Sequence, residues 1–110
     1  MPGDQDALDL MPPSLRAKIP KLYSMDGWEP EKVPIAVKIF GGPYTGYFTE
    51  FDGEDTLFGF ARIEGHGDGE LGYASLSELQ ATRLPCGARL ERDLYFGTHT
   101  LAEVKPNVLY

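Results

Sequence analysis

From residue 35 to residue 74, apolar and polar positions alternate in short runs separated by glycine-rich breaks. Ile35, Val37 and Ile39 alternate with Ala36, Lys38 and Phe40, the period of a half-buried strand. Gly41-Gly42-Pro43 ends that run. Residues 44–51 predict a second strand, with Tyr47, Thr49 and Phe51 on one face and Phe48 and Glu50 on the other. Asp52-Gly53-Glu54-Asp55 reads as a hairpin turn, because Asp-Gly adopts the backbone angles such turns require. Residues 56–63 predict a third strand. The tip Gly65-His66-Gly67-Asp68-Gly69 leads into a fourth over residues 70–74.

Helical spacing appears on both sides of this β-rich middle. After Pro12 and Pro13, Leu15, Ile19, Leu22 and Tyr23 share one helical face, but Pro20 interrupts it. A short helix ending near Ile19 is expected, then a loop over residues 24–34 with Trp28 as a plug over the core. A second helix is expected over residues 76–83. Both Ser75 with Glu78 and Ser77 with Gln80 have capping-box spacing, which leaves its start open. Pro85 and Gly87 end it. Residues 90–96 predict a last strand, residues 101–104 a terminal turn, and the tail closes on Leu109 and Tyr110. Residues 1–12 are polar and expected to be loose. The organisation is a loose segment 1–12 and one α+β domain over residues 13–110. Its sheet is mainly antiparallel, with about five strands and one or two short helices packed on it.

Composition fits that picture. The chain has 110 residues, of which 42% are hydrophobic, and its Tyr, Phe and Trp residues make a bulky core. Seventeen Asp and Glu against ten Lys and Arg give a net charge of −7. Such a surface repels nucleic acid and anionic membranes, so neither is expected as a direct partner. The single cysteine, Cys86, excludes an intrachain disulfide. The acidic N-terminus lacks signal-peptide character, and no apolar run reaches membrane-spanning length. A cytoplasmic protein is expected.

The candidate chemistry is sparse. Glu50, Asp52, Glu54 and Asp55 are weak candidates for a metal site or a carboxylate pair, because hard cations take several oxygens and Glu50 and Asp52 share a strand parity. A solvated hairpin accounts for the same residues. Glu91 and Asp93 extend this carboxylate pool, although Glu91-Arg92-Asp93 also reads as cross-strand charge pairing. Gly67-Asp68-Gly69-Glu70-Leu71-Gly72 matches G-x-G-x-x-G by letter. It precedes a strand rather than a helix, and its acids would repel phosphate, so it is rejected. His66 and His99 lack metal-ligand spacing, and Cys86 has no His or Lys beside it in sequence. Arg16, Lys18 and Lys21 are too few for a nucleic-acid face. No catalytic residue and no cofactor are expected.

Four ordered segments carry a resemblance: Ile19-Pro20-Lys21-Leu22-Tyr23-Ser24; Thr49-Glu50-Phe51-Asp52-Gly53-Glu54-Asp55 with Phe58-Gly59; Glu70-Leu71-Gly72-Tyr73 running into Ser75-Leu76-Ser77-Glu78-Leu79; and Glu91-Arg92-Asp93-Leu94-Tyr95-Phe96. Over residues 15–104 the chain resembles a bacterial domain-of-unknown-function family met on plasmids and integrating elements. The resemblance implies a free-standing cytoplasmic protein with a link to mobile DNA. It transfers no activity.

One reading is a non-enzymatic interaction protein that associates with itself or with another protein. Aromatic residues exceed what one face of a small sheet buries, and Tyr44, Tyr47, Phe48, Phe58 and Tyr95 are the expected interface. The alternatives are a metal- or carboxylate-dependent enzyme built on the acidic hairpin and an acidic mimic of nucleic acid.

Overall fold

The computed structural model describes residues 7–104; residues 1–6 and the tail with Leu109 and Tyr110 lie outside the described residues. Strands β1 (Val37–Gly41), β2 (Tyr44–Phe51), β3 (Thr56–Ile63), β4 (Glu70–Ser75) and β5 (Glu91–Arg92) form one sheet in the order β4-β3-β2-β1-β5. Every pairing is antiparallel. Short helices α1 (Pro13–Lys18), α2 (Leu76–Ala81) and α3 (Leu101–Val104) flank it, with a 3-10 turn at Pro30–Lys32. This is the α+β class read from the sequence.

The strand boundaries follow the sequence because the breaks are chemical. Gly42 and Gly53 take positive φ in the first two hairpins, and Gly65, Gly67 and Gly69 do so in the third. Helix α2 resolves the capping ambiguity in favour of Ser75, whose hydroxyl accepts from the Glu78 N–H.

The faces of β2 differ from simple alternation. Phe48 pairs with Gly59, but Glu50 pairs with Phe58, so Thr49 is an extra residue in a β-bulge. The bulge reverses the parity beyond it. Phe48 and Phe51 therefore pack in the same cluster, with Val37, Ile39, Leu57 and Leu76. Tyr47 joins Phe60, Met25, Val33, Ile35 and Leu101 on the opposite face. Gly59 makes the bulge possible. A Cβ there would stand 2.1 Å from the Tyr47 carbonyl oxygen and 2.6 Å from Phe48 Cα.

The sheet is thus buried on both faces, and this corrects the expected interface. Tyr47 and Phe48 lie in the interior on opposite sides. The apparent excess of aromatics arises from counting one buried face where there are two.

Two other expectations change. Residues 7–12 are not loose: Leu10 is fully buried, and Ala7 and Met11 are nearly so. The Gln80 side chain donates to the Leu8 carbonyl and accepts from the Leu10 N–H, while Arg92 Nε donates to the Asp9 carbonyl. The last strand covers only Glu91–Arg92, because the Asp93 carboxylate accepts from the Tyr95 N–H and turns the chain out of the sheet.

Gly59→Ala is expected to destabilise the fold by about 3 kcal/mol or more, the upper range for forced overpacking. Gly72→Ala, whose Cβ meets nothing within 4 Å, is expected to change stability by less than about 1 kcal/mol. Urea unfolding of the pair checks this; equal costs would contradict it.

Candidate functional site

The acidic hairpin does not gather its carboxylates. Asp52 is exposed and accepts from the N–H groups of Glu54, Asp55 and Thr56 through one oxygen, which closes the turn. These bonds hold its carboxyl below the ordinary value of 3.8, the Glu54 bond contributing most. Asp55 points to α2. It accepts from the Ser75 hydroxyl at 2.6 Å and the Ser77 N–H at 2.7 Å, and these bonds lower its pKa as well. The Arg16 guanidinium donates to the Gly53 carbonyl and lies 5.1 Å from the centre of the Phe51 ring, tying α1 to the same turn.

Glu50 goes inward. It is 2% exposed, and its two oxygens accept from the Tyr23 N–H at 3.0 Å and the Met25 N–H at 2.9 Å. The bulge explains why an acid is buried here, since the extra residue Thr49 turns Glu50 toward the loop after α1. Its convergence with Asp52, expected from strand parity, is lost because Asp52 lies past the end of β2 and its carboxylate closes the turn. Glu91 and Asp93 lie elsewhere: Glu91 pairs with Phe40, at the end of β1 that adjoins Thr45, whereas the acidic turn follows Phe51 at the opposite end of β2. Asp93 forms an ion pair with Lys38 at 3.7 Å. Among the described residues, no group of three or more His, Cys, Asp or Glu side chains is placed to hold a metal ion.

The other candidates are accounted for locally. His99 meets Glu103 at 3.2 Å, and its ring lies against that of Phe96 at a tilt, with centroids 4.3 Å apart. Glu103 also accepts from the Thr100 N–H, which lowers its pKa and caps α3. Cys86 is exposed.

What Glu50 builds is an aromatic margin beside β4. Tyr23 holds φ +69, a left-handed conformation that is unusual for a bulky side chain. The Glu50 bonds on both sides of Ser24 hold it there. Tyr23 is 63% exposed and Tyr73, on β4, is 59% exposed; the Tyr73 hydroxyl donates to the Tyr23 oxygen at 3.3 Å. The Phe58 ring packs against Tyr73 with centroids 5.0 Å apart. The bond to Tyr23, partial desolvation and the charges of Asp26 and Glu50 raise the Tyr73 pKa.

β4 is an edge strand of the sheet. The Leu76 N–H bonds to the Asp55 carbonyl, and the β3–β4 register carries that antiparallel alternation along the strand. Glu70, Gly72 and Ala74 therefore direct their backbone groups to β3, and Leu71 and Tyr73 direct theirs outward. On the sheet face away from Tyr23 lies a cleft of about 750 Å³. Its floor includes Gly59, Ala61, Gly72 and Ala74, residues too small to fill it, with the Phe48 ring beside them. Tyr44 and Leu79 stand at its sides, and Asp68, Glu70 and Glu78 add acidic groups. Burial pushes the Tyr44 phenol up to about 12, so it remains a neutral hydroxyl.

The expected interface residues therefore do not form one patch. Tyr44 lines the cleft, Phe58 sits across the sheet beneath Tyr73, and Tyr95 is 93% exposed near the far edge, beyond β5. Tyr23 and Tyr73 are exposed aromatics that the expected interface left out, and Trp28, expected as a plug over the core, is exposed as well. The signal available was Tyr23 just after the helix-ending Pro20, a place where a strained turn is needed.

Glu50→Ala leaves the Tyr23 and Met25 donors without partners and is expected to cost about 2–6 kcal/mol at roughly 1–3 kcal/mol per stranded group. Faster amide exchange at Met25 is the local check; unchanged exchange would contradict the clamp. Asp52 and Asp55 carry depressed pKa values, so their contribution is present above the ordinary carboxylate value of 3.8 and lost as pH falls through the folded values. The melting temperature is expected to drop as pH falls below about 4. Asp55→Asn is expected to lower it at pH 7 and to flatten the acid dependence; a wild-type profile would contradict this.

No curated protein and no solved structure matches the chain. A family model described as "Protein of unknown function (DUF2958)" matches residues 10–104, a span that runs from the buried Leu10 through α3 and includes every strand of the sheet. The chain belongs to that family, the proteins of unknown function designated DUF2958.

Proposed function

We propose that the chain is a non-catalytic protein-interaction domain that receives an extended protein segment on the free edge of β4. The observation that carries this reading is an edge that no other strand among the described residues pairs. After Glu70 at its start, β4 (Glu70–Ser75) contains no charged residue or Pro and has no register shift against β3, whereas sheet edges are ordinarily blunted by such features. Outward-facing backbone groups at Leu71 and Tyr73 supply a ladder, and alternate side chains of an added strand would face the aromatic margin and the cleft.

Against the enzyme reading stand Glu50, Asp52 and Asp55, each occupied by backbone donors. Against nucleic-acid mimicry stands their dispersal: one is interior, one closes a turn, and one caps a helix. Given the resemblance to a family met on plasmids and integrating elements, the partner we propose is a protein of a bacterial cytoplasm that harbours such DNA. Among the described residues no helix is long and apolar enough to cross a membrane.

A second copy of the chain also fits the edge and is the self-associating form expected from the sequence. Antiparallel pairing centred on Gly72 would set Leu71 against Tyr73 and Glu70 against Ala74, with no like charges opposed.

Panning a library of displayed extended peptides against the chain tests the strand-addition reading. Enriched peptides are expected to slow amide exchange at Leu71 and Tyr73. Tyr73→Pro, which removes one outward N–H but leaves the bonds to β3, is expected to abolish their binding, and Tyr73→Lys to weaken it. Peptides that leave both amides unchanged and bind both variants equally would contradict it.

A further inference from the structure

Charge favours one occupant of the edge over the others. The inference rests on the strand-addition reading and names the partner. Along the cleft side of β4 lie Asp68, Glu70 and Glu78. Arg62 also borders the cleft, but strand alternation puts its side chain on the opposite face with Phe60. On the aromatic side, the charge of Asp26 is close enough to help raise the Tyr73 pKa. The whole chain carries net charge −7. The cleft flank of the open edge is therefore acidic, and a second copy, although its paired strand opposes no like charges, would bring another acidic cleft flank alongside it.

We infer that the segment added to β4 is basic, with a Lys or Arg side chain lying in the cleft over Gly72. Gly72 is on the cleft side of β4, and a Cβ at this position would meet nothing within 4 Å. This open space admits a long aliphatic stem whose charged end reaches Glu70 and Glu78. The residues before and after it in the added strand face Tyr73 and Tyr23. Their exposed ring faces suit aliphatic groups or a second cation. The backbone ladder supplies affinity without sequence preference, and the cleft supplies the preference.

The test uses three eight-residue peptides of alternating Thr and Val that differ at two cleft-side positions, which hold Lys, Gln or Glu. Binding is read by fluorescence anisotropy, and location by amide shifts at Leu71 and Tyr73. The Lys peptide is expected to bind about tenfold more tightly than the Gln peptide at low salt, with the Glu peptide weakest. The advantage should shrink as salt rises from about 50 to 300 mM, as screening requires. Glu70→Gln with Glu78→Gln, both at exposed positions, should reduce the Lys preference to about twofold or less without loss of fold, checked by an unchanged melting temperature. Equal binding of the Lys and Gln peptides at the edge would overturn the basic partner and leave strand addition standing. If no peptide binds and light scattering shows a dimer, the second copy is the occupant and this inference fails. If no peptide binds and the chain is monomeric, both readings fail.

Discussion

A buried carboxylate holds this fold's most unusual feature in place. Glu50 accepts two backbone N–H bonds from the segment after α1. Leaving either donor unpaired in the interior would cost about 1–3 kcal/mol. Those bonds hold Tyr23 in a left-handed conformation and bring its hydroxyl to that of Tyr73. Glu50 reaches the loop only because the Thr49 bulge reverses the parity of β2, and the bulge exists only because residue 59 is glycine. One backbone irregularity therefore sets which residues enter each core and which aromatics remain outside.

The acidity of the chain looks different in this light. Asp52 and Asp55 serve as hydrogen-bond acceptors for a turn and a helix start, and Glu50 for a loop. Their chemistry is that of anions satisfying backbone donors, which lowers the pKa where donors converge on an exposed carboxylate. The acids with no such duty include Glu70 and Glu78, which border the cleft along β4. The charge relevant to a partner is this local remainder and not the net charge.

Much of the fold was legible from local signals. β2 and β3 appear with the expected ends because Gly-Gly-Pro, Asp-Gly and the glycine-rich tip punctuate them. The face assignment beyond Thr49 was not legible. A bulge is specified by what Gly59 permits on the neighbouring strand, and no period-two pattern encodes that. The same gap hid the site. Counting one buried face made Tyr47 and Phe48 look like interface residues, although each has a core to occupy. Tyr73 followed the alternation of β4 and was counted among the aromatics. Its importance came from edge position and from Tyr23, both tertiary facts. Residues 7–12 misled for a related reason, since Leu10 and Met11 find their burial against elements far along the chain.

The central claim is that β4 presents an open hydrogen-bonding edge. Residue-resolved amide exchange in the free, dilute chain tests it most directly. The structure predicts protected N–H groups at Gly72 and Ala74, which bond to β3, and fast exchange at Leu71 and Tyr73 between them. Protection at Leu71 and Tyr73 equal to that of their neighbours would show the edge already covered and would contradict the account.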